Sequence, residues 1–203
     1  MLLIGPAGSG KTTWILHLLR SLNELVNPKP NKIIFYYNIW QPLYDYMDEF
    51  VHEFRKGIPA RSEIEDLAVH RGEGGSLVII DDQLQNVNKE LAEIFMVAGR
   101  HSGVSLIFLS QSMFPRDPHF RSISLQSSYI VLMKNPRDSF SIGYLARQLK
   151  PSNSRALINI FHDATHRPFS YLLFDLRQET GEDYRFRSNI FPHENPAHAY
   201  LFK

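Results

Sequence analysis

The stretch GPAGSGKTT, residues 5–13, holds three glycines within six positions and follows them with a lysine and two threonines. Glycine adopts backbone conformations closed to other residues and lets a ligand approach the chain closely. The spacing Gly5-x-x-x-x-Gly10-Lys11-Thr12 is that of a P-loop, in which successive backbone N–H groups surround phosphates. The alternative interpretation of the same letters is an ordinary glycine turn before a helix.

A P-loop at this position predicts a site for ATP and Mg²⁺. Lys11 is expected to reach the terminal phosphates and Thr12 to bind the metal, while a helix that begins here directs its positive end at the anion. The predicted nucleotide-binding residues are Gly5, Pro6, Ala7, Gly8, Ser9, Gly10, Lys11, Thr12 and Thr13.

The composition is that of a folded protein without a strong overall charge. Hydrophobic residues make up 43% and charged residues 21% of the 203 positions, and 22 Lys and Arg face 21 Asp and Glu. Nucleic acid would therefore have to bind a local patch or an assembly of several subunits. There is no cysteine, which excludes disulfides and thiolate metal sites. No apolar run approaches the roughly 18 residues of a membrane helix, so no membrane is expected as a partner.

Apolar periodicity predicts strands that alternate with helices, and thus an αβα sandwich with a mainly parallel sheet. We expect one domain over residues 1–192, a β-hairpin over about 169–188 and an irregular tail over 193–203. The first strand is short for a P-loop protein, so the natural chain is expected to continue upstream. Predicted strands cover 2–5, 32–38, 76–82, 103–111 and 127–135; predicted helices cover 11–25, 41–57, part of 58–71, 87–101, 138–149 and 152–165.

A second carboxylate-bearing strand end follows the P-loop. The stretch LVIIDD, residues 77–82, places Asp81 at the carboxyl end of a buried strand, where open α/β sheets bind their ligands. Asp81 is predicted to bind Mg²⁺, and Asp82 to orient or deprotonate the attacking water. The alternative is a strand that ends in two acids at a solvated turn.

The next predicted strand ends in FLSQ, residues 108–111, which places Gln111 beside the strand of Asp81. A neutral amide there can donate to a γ-phosphate and accept from the attacking water. A polar residue that merely ends a strand is the alternative.

The order of features in this part of the chain resembles the FtsK/HerA division of P-loop ATPases. That order is paired acids, a helix, Arg100, a turn, an apolar strand and Gln111. Further stretches are similar to the genome-packaging ATPases of Polinton/Maverick elements and adintoviruses, relatives of the poxvirus-type packaging ATPase. They are NIWQPLYDYM (38–47), LVIIDDQL (77–84), FLSQSMFPRD (108–117), SLQSSYIVLMKNPRDSFSIGYLARQL (124–149) and LLFDLRQETGEDYRFRSNIFP (172–192). Gln83 stands where the resemblance leads us to expect an apolar residue.

The resemblance implies a RecA- or FtsK/HerA-like ATP hydrolase that forms a homo-oligomeric ring and moves double-stranded DNA into a capsid. It implies that Arg100 is an arginine finger for the neighbouring subunit, although a surface arginine that closes a helix is the alternative. A capsid portal or vertex protein becomes a candidate partner. The implied location is inside a virus-infected host cell or associated with the virion.

Two basic segments are candidates for DNA or subunit contact. Residues 113–122 combine Phe114, Arg116, His119, Phe120 and Arg121 on a predicted loop, where they would grip a phosphate backbone or else serve as core anchors and a subunit contact. The second segment carries Lys134 and Arg137 after a strand end, where a helix-capping turn is the alternative.

Three other functions compete with the motor. A small-molecule kinase normally has an arginine-bearing lid, and a helicase would have a small helical domain after the sheet; neither segment is recognisable. A nucleotide-gated binding protein with little turnover stays open, because Asp82 stands where many such ATPases have glutamate.

Overall fold

The computed structural model describes residues 1–69, 73–97, 102–138, 140–194 and 196–202. Within these residues the chain forms a sheet of nine strands in the order β3-β2-β4-β5-β1-β6-β7-β8-β9. The strands are β1 Leu2–Ile4, β2 Lys32–Tyr37, β3 Glu53–Lys56, β4 Ser76–Ile80, β5 Val104–Ser110, β6 Tyr129–Met133, β7 Tyr171–Asp175, β8 Phe186–Ser188 and β9 His198–Ala199.

Helices cover both faces of this sheet and divide its core in two. One buried cluster includes Val78, Phe108 and Phe120, and the other includes Trp14, Phe35 and Ile79. The α-helices are α1 Lys11–Arg20, α2 Leu22–Leu25, α3 Arg61–Val69, α4 Lys89–Val97, α5 Pro118–Gln126, α6 Phe140–Leu149 and α7 Ser154–Ala164. In the ranges described, none has the length and apolar character needed to cross a membrane.

The predicted fold class is confirmed. Strands β1 to β6 pair in parallel throughout, whereas β7, β8 and β9 add to the sheet in antiparallel fashion. Strand β1 lies between β5 and β6 at the centre, and all three of its side chains are buried. Its central position explains its apolar sequence, because a parallel strand is covered by helices on both faces.

The helix predicted over residues 41–57 is wrong. This segment instead forms a short 3₁₀ helix, Pro42–Met47, and then strand β3, which pairs in parallel with β2. Arg55 of β3 is held between Glu53 and Glu63, and these ion pairs favour the extended form. The apolar residues around position 50 are spaced as they would be on one face of a helix. Pairing with β2 at the sheet edge nevertheless makes residues 53–56 a strand.

Two further expectations need correction. The segment 113–122 is not a loop throughout, because Asp117 caps α5 by accepting from the amides of His119 and Phe120. Phe120 is 1% exposed and belongs to the core, so it is unavailable to DNA. The tail is not all loop either, since β9 pairs with β8.

Candidate nucleotide site

The loop between β1 and α1 depends on its glycines. Gly8 and Gly10 have φ values of 74° and 96°, a region that strains other residues. Gly5 is constrained by space, because an added Cβ would lie 2.5 Å from Ser9 Oγ and 2.9 Å from Met133 Cβ. The loop therefore turns tightly from β1 into the first turn of α1.

Lys11 lies across this loop. Its ammonium donates to the carbonyl oxygens of Gly5 at 2.7 Å and Pro6 at 3.0 Å. Burial lowers the pKa of Lys11, while Asp81 and Asp82 act in the opposite direction. The ammonium thus lies against the glycine loop, where an anion would supply further acceptors.

Asp81 brings the end of β4 against the start of α1. Its carboxylate is 3% exposed, and Oδ2 accepts from Thr12 Oγ1 at 3.3 Å. Burial raises the pKa of Asp81, and hydrogen bonds from Tyr44 and Thr12 and the charge of Lys11 oppose that rise. The residues predicted to bind the metal, Thr12 and Asp81, therefore meet at one place.

Tyr44 is a site residue that sequence reasoning missed. It is fully buried in the 3₁₀ helix after β2, and its hydroxyl donates to Asp81 Oδ2 at 2.9 Å. Burial and the nearby Asp81 charge raise the pKa of Tyr44 above its ordinary range, so it remains a donor. The stretch NIWQPLYDYM carries this residue, but nothing in the letters links it to a carboxylate 37 positions later.

Asp82 and Gln111 form a second pair at the same edge of the sheet. Gln111 Nε2 donates to Asp82 Oδ1 at 2.9 Å, and Asp82 adopts a left-handed φ of 54°. Strands β4 and β5 are neighbours, as predicted, so the two side chains meet where their strands end. Together with Asn38, Leu84 and Gln85 they line a cavity open to solvent.

Gln83, the residue that departs from the expected apolar type, turns back into the protein. It is fully buried, and its Oε1 accepts from Asn86 Nδ2. Its own amide nitrogen has no partner among the described residues. Gln83 does not line the cavity, whereas its neighbour Asp82 does.

The other predicted site residues have less distinctive surroundings. Ala7, Gly8 and Thr13 are exposed on the loop and the first turn of α1, whereas the buried Ser9 Oγ has no partner within the described ranges. Arg100 lies outside the described residues.

The basic segments are largely at the surface. Arg116, Arg121, Lys134 and Arg137 are exposed, and Phe114 is partly so. The turn around Asn135 serves as a cap in addition, because Asp138 accepts from the backbone N–H of Ser141 at the start of α6.

The donor set suits a nucleotide-bound magnesium ion. Mg²⁺ prefers oxygen ligands and is usually held by one or two protein oxygens together with water and substrate phosphates. Thr12, in the first turn of α1, supplies a hydroxyl oxygen. Asp81, after β4, supplies a carboxylate oxygen 3.3 Å from it. In the part of the chain that is described, no three His, Asp or Glu side chains cluster as a self-sufficient metal site.

Comparison with known protein families places this geometry in context. The family model of the poxvirus A32 protein matches residues 1–131, which include the glycine loop, Asp81, Asp82 and Gln111. The chain belongs to the poxvirus A32 protein family. The comparison with curated proteins gives no match.

Among solved structures, this A32-family chain is similar to the cytoplasmic domain of the Thermomonospora curvata type VII secretion ATPase EccC. The two share 16% identity with a TM-score of 0.51, over 88% of this chain. At that identity the likeness shows a common fold. The chain spans about a quarter of the length of that structure, since the match covers 24% of it.

Proposed function

We propose that this A32-family chain is a Mg²⁺-dependent ATP hydrolase that moves double-stranded DNA into a viral capsid. The observation that carries the proposal is the convergence of Lys11, Thr12 and Asp81 at the glycine loop, with the Asp82–Gln111 pair beside them. Family membership and the resemblance to packaging ATPases support the DNA-packaging part of the proposal.

The roles follow from position. Backbone N–H groups of the glycine loop and the Lys11 ammonium would hold the phosphates, so Lys11 would exchange its carbonyl partners for phosphate oxygens. Thr12 and Asp81 would hold Mg²⁺, which when bound neutralises phosphate charge. Asp82, as a carboxylate at the cavity, would accept the proton of the attacking water while Gln111 orients that water.

Arg100 completes the proposed mechanism from a neighbouring subunit. A guanidinium offers a planar set of donors that matches the charge spread over a transferring phosphoryl group. Supplied in trans, it would make turnover depend on assembly into a homo-oligomeric ring. Hydrolysis in one subunit would thereby be coupled to the next.

DNA contact is assigned to exposed cations near the same edge of the sheet. Arg116 and Arg121 follow Gln111 in the chain and are exposed. Contacts of this kind bind phosphates irrespective of base sequence, which a motor that travels along a whole genome requires. A capsid portal or vertex protein would be the docking partner, in an infected cell or on the virion.

The finer placement among the packaging ATPases of Polinton/Maverick elements and adintoviruses is also part of this proposal. It rests on the stretches KNPRD, residues 134–138, and LARQL, residues 145–149. These lie beyond residue 131, where the A32 family match ends.

The test is phosphate release by the purified protein with Mg·ATP, measured with and without linear duplex DNA, beside Lys11→Ala. The expected result is hydrolysis that DNA stimulates, that falls steeply with added salt and that Lys11→Ala abolishes. ATP binding without hydrolysis under any condition would favour a nucleotide-gated binding protein. Transfer of phosphate to a small molecule would favour a kinase.

A further inference from the structure

The turn before β7 lies directly against the glycine loop. Phe169 packs on Gly10, so that a Cβ added to Gly10 would lie 3.3 Å from Cδ1 of the phenyl ring. Despite this contact, 70% of Phe169 is exposed. A large aromatic ring thus stands at the rim of the candidate phosphate site with most of its surface open to solvent.

The backbone at Phe169 is strained. Its φ is 63°, a left-handed value that is unusual for a bulky residue. The turn runs from Arg167 to Ser170, whose amide donates to the Arg167 carbonyl at 3.4 Å, with Pro168 as its second residue. Glycine or asparagine normally occupies the third position of a turn that needs a positive φ.

A turn-forming glycine would therefore fit this position with less strain, and the phenyl ring is not needed for the core. Strained residues of this kind cluster at ligand sites, where the surrounding structure holds them in place. In the described part of the chain the ring has no aromatic or cationic partner, unlike many other aromatic side chains of this protein.

The sheet order gives the ring a definite place relative to a bound triphosphate. Asp81 and Gln111 follow β4 and β5, on one side of β1, whereas Phe169 precedes β7, on the other side. A triphosphate whose terminal phosphate lies near Asp81 and Gln111 would run along the glycine loop. Its nucleoside end would then lie on the side of Phe169.

We propose that Phe169 is the platform on which the base of the nucleotide stacks, a role that rests on the proposed function. A purine base requires an open aromatic face close to the phosphate loop and away from the metal. Phe169 has an exposed ring, contacts Gly10 and lies on the other side of β1 from Asp81. Stacking on an aromatic ring tolerates different bases, so discrimination between ATP and GTP is expected to be weak.

The experiment compares two ligands in calorimetric titrations with Mg²⁺: ATP and inorganic tripolyphosphate, which has the phosphates but no base. Phe169→Gly is expected to weaken ATP binding about tenfold, because it removes the stacking surface. Tripolyphosphate should bind the wild type and Phe169→Gly equally. Phe169→Trp should retain ATP affinity, and its added fluorescence should be quenched by ATP but not by tripolyphosphate.

Glycine suits the left-handed backbone, so Phe169→Gly is expected to unfold at or above the wild-type temperature. Tyr184→Ala, which removes another exposed aromatic ring between β7 and β8, is the matched control and should leave both affinities unchanged.

The outcomes separate this inference from the function on which it rests. Equal ATP affinity in Phe169→Gly and wild type would overturn the base platform while leaving ATP binding intact. An equal loss of tripolyphosphate affinity would show that the ring merely supports the loop, and a loss of subunit assembly alone would make it a subunit contact; both overturn the inference. A wild type that binds neither ligand would refute the proposed function itself.

Discussion

The hydroxyl of Tyr44 donates to the same carboxylate oxygen of Asp81 that accepts from Thr12, at 2.9 Å and 3.3 Å respectively. A buried carboxylate needs such donors, because burial alone favours its neutral form. Tyr44 thereby fixes the orientation of Asp81 from a segment that lies 37 positions earlier in the chain.

Tyr44→Phe is expected to lower the free energy of unfolding by about 1–2 kcal/mol, since it removes a hydrogen bond to a buried charged group and keeps the ring. Urea unfolding followed by circular dichroism measures the effect. Tyr46→Phe, at an exposed position of the same 3₁₀ helix, is the control and should unfold like the wild type. An unchanged midpoint for Tyr44→Phe would show that this hydrogen bond adds nothing.

Gln111→Ala is expected to slow ATP turnover by about 100-fold, the smaller end of what removing one polar group from a reacting site costs. Affinity for ATP should stay close to that of the wild type, because the loop and Lys11 hold the phosphates. Single-turnover hydrolysis and equilibrium binding separate the two. Gln85→Ala, which alters another residue lining the cavity, should retain turnover; a loss of binding alone in Gln111→Ala would contradict the assigned role.

Arg100→Ala is expected to keep nucleotide binding and lose turnover, as is required of a residue that acts on the neighbour's site. Mixing Arg100→Ala with inactive Lys11→Ala subunits should restore part of the activity. In such mixed assemblies a subunit with an intact P-loop can receive Arg100 from its partner.

Phosphate release by mixtures of varied ratio measures this complementation. The control replaces Lys11→Ala with Lys56→Ala, which alters an exposed lysine on β3. This second component is expected to be active before it is mixed with Arg100→Ala. Absence of any recovery in mixtures that do assemble would place Arg100 in its own subunit's site or at no site.

The surroundings of Asp175 let us predict how the stability of the antiparallel part of the sheet changes in acid. Its carboxylate is fully buried and pairs with Arg177 and Arg187, at 3.1 Å and 2.8 Å. Burial raises the pKa of Asp175, but hydrogen bonds, above all from Arg177, outweigh it and hold the pKa below its usual value.

Because the pKa of Asp175 is lower in the folded state, its carboxylate stabilises the protein at pH values above the usual aspartate pKa. This contribution is lost as the pH falls below about 4. Asp175→Asn is expected to cost about 2 kcal/mol at neutral pH, less than a fully buried pair because both arginines are partly solvated. Urea unfolding from pH 7 to 3 should show a flatter acid dependence for this variant. The exposed Asp183→Asn should follow the wild-type curve, and a parallel curve for Asp175→Asn would refute the argument.

Much of the fold was predictable because its signals are local. The glycine spacing of residues 5–13 and the apolar runs of β2, β4, β5 and β6 are each read within a few residues. Parallel strands carry their ligands at their carboxyl ends, so Asp81, Asp82 and Gln111 could be assigned to one edge without coordinates.

Local patterns of residues thus suffice to predict the alternation of strands and helices and the residue types of the candidate site. Long-range contacts instead place residues 53–56 at the sheet edge and Phe120 in the core, bring Tyr44 to Asp81, and pack Phe169 on Gly10. These features depend on contacts between segments that are distant along the chain. Such contacts stabilise the fold but do not show in the residue pattern of either segment.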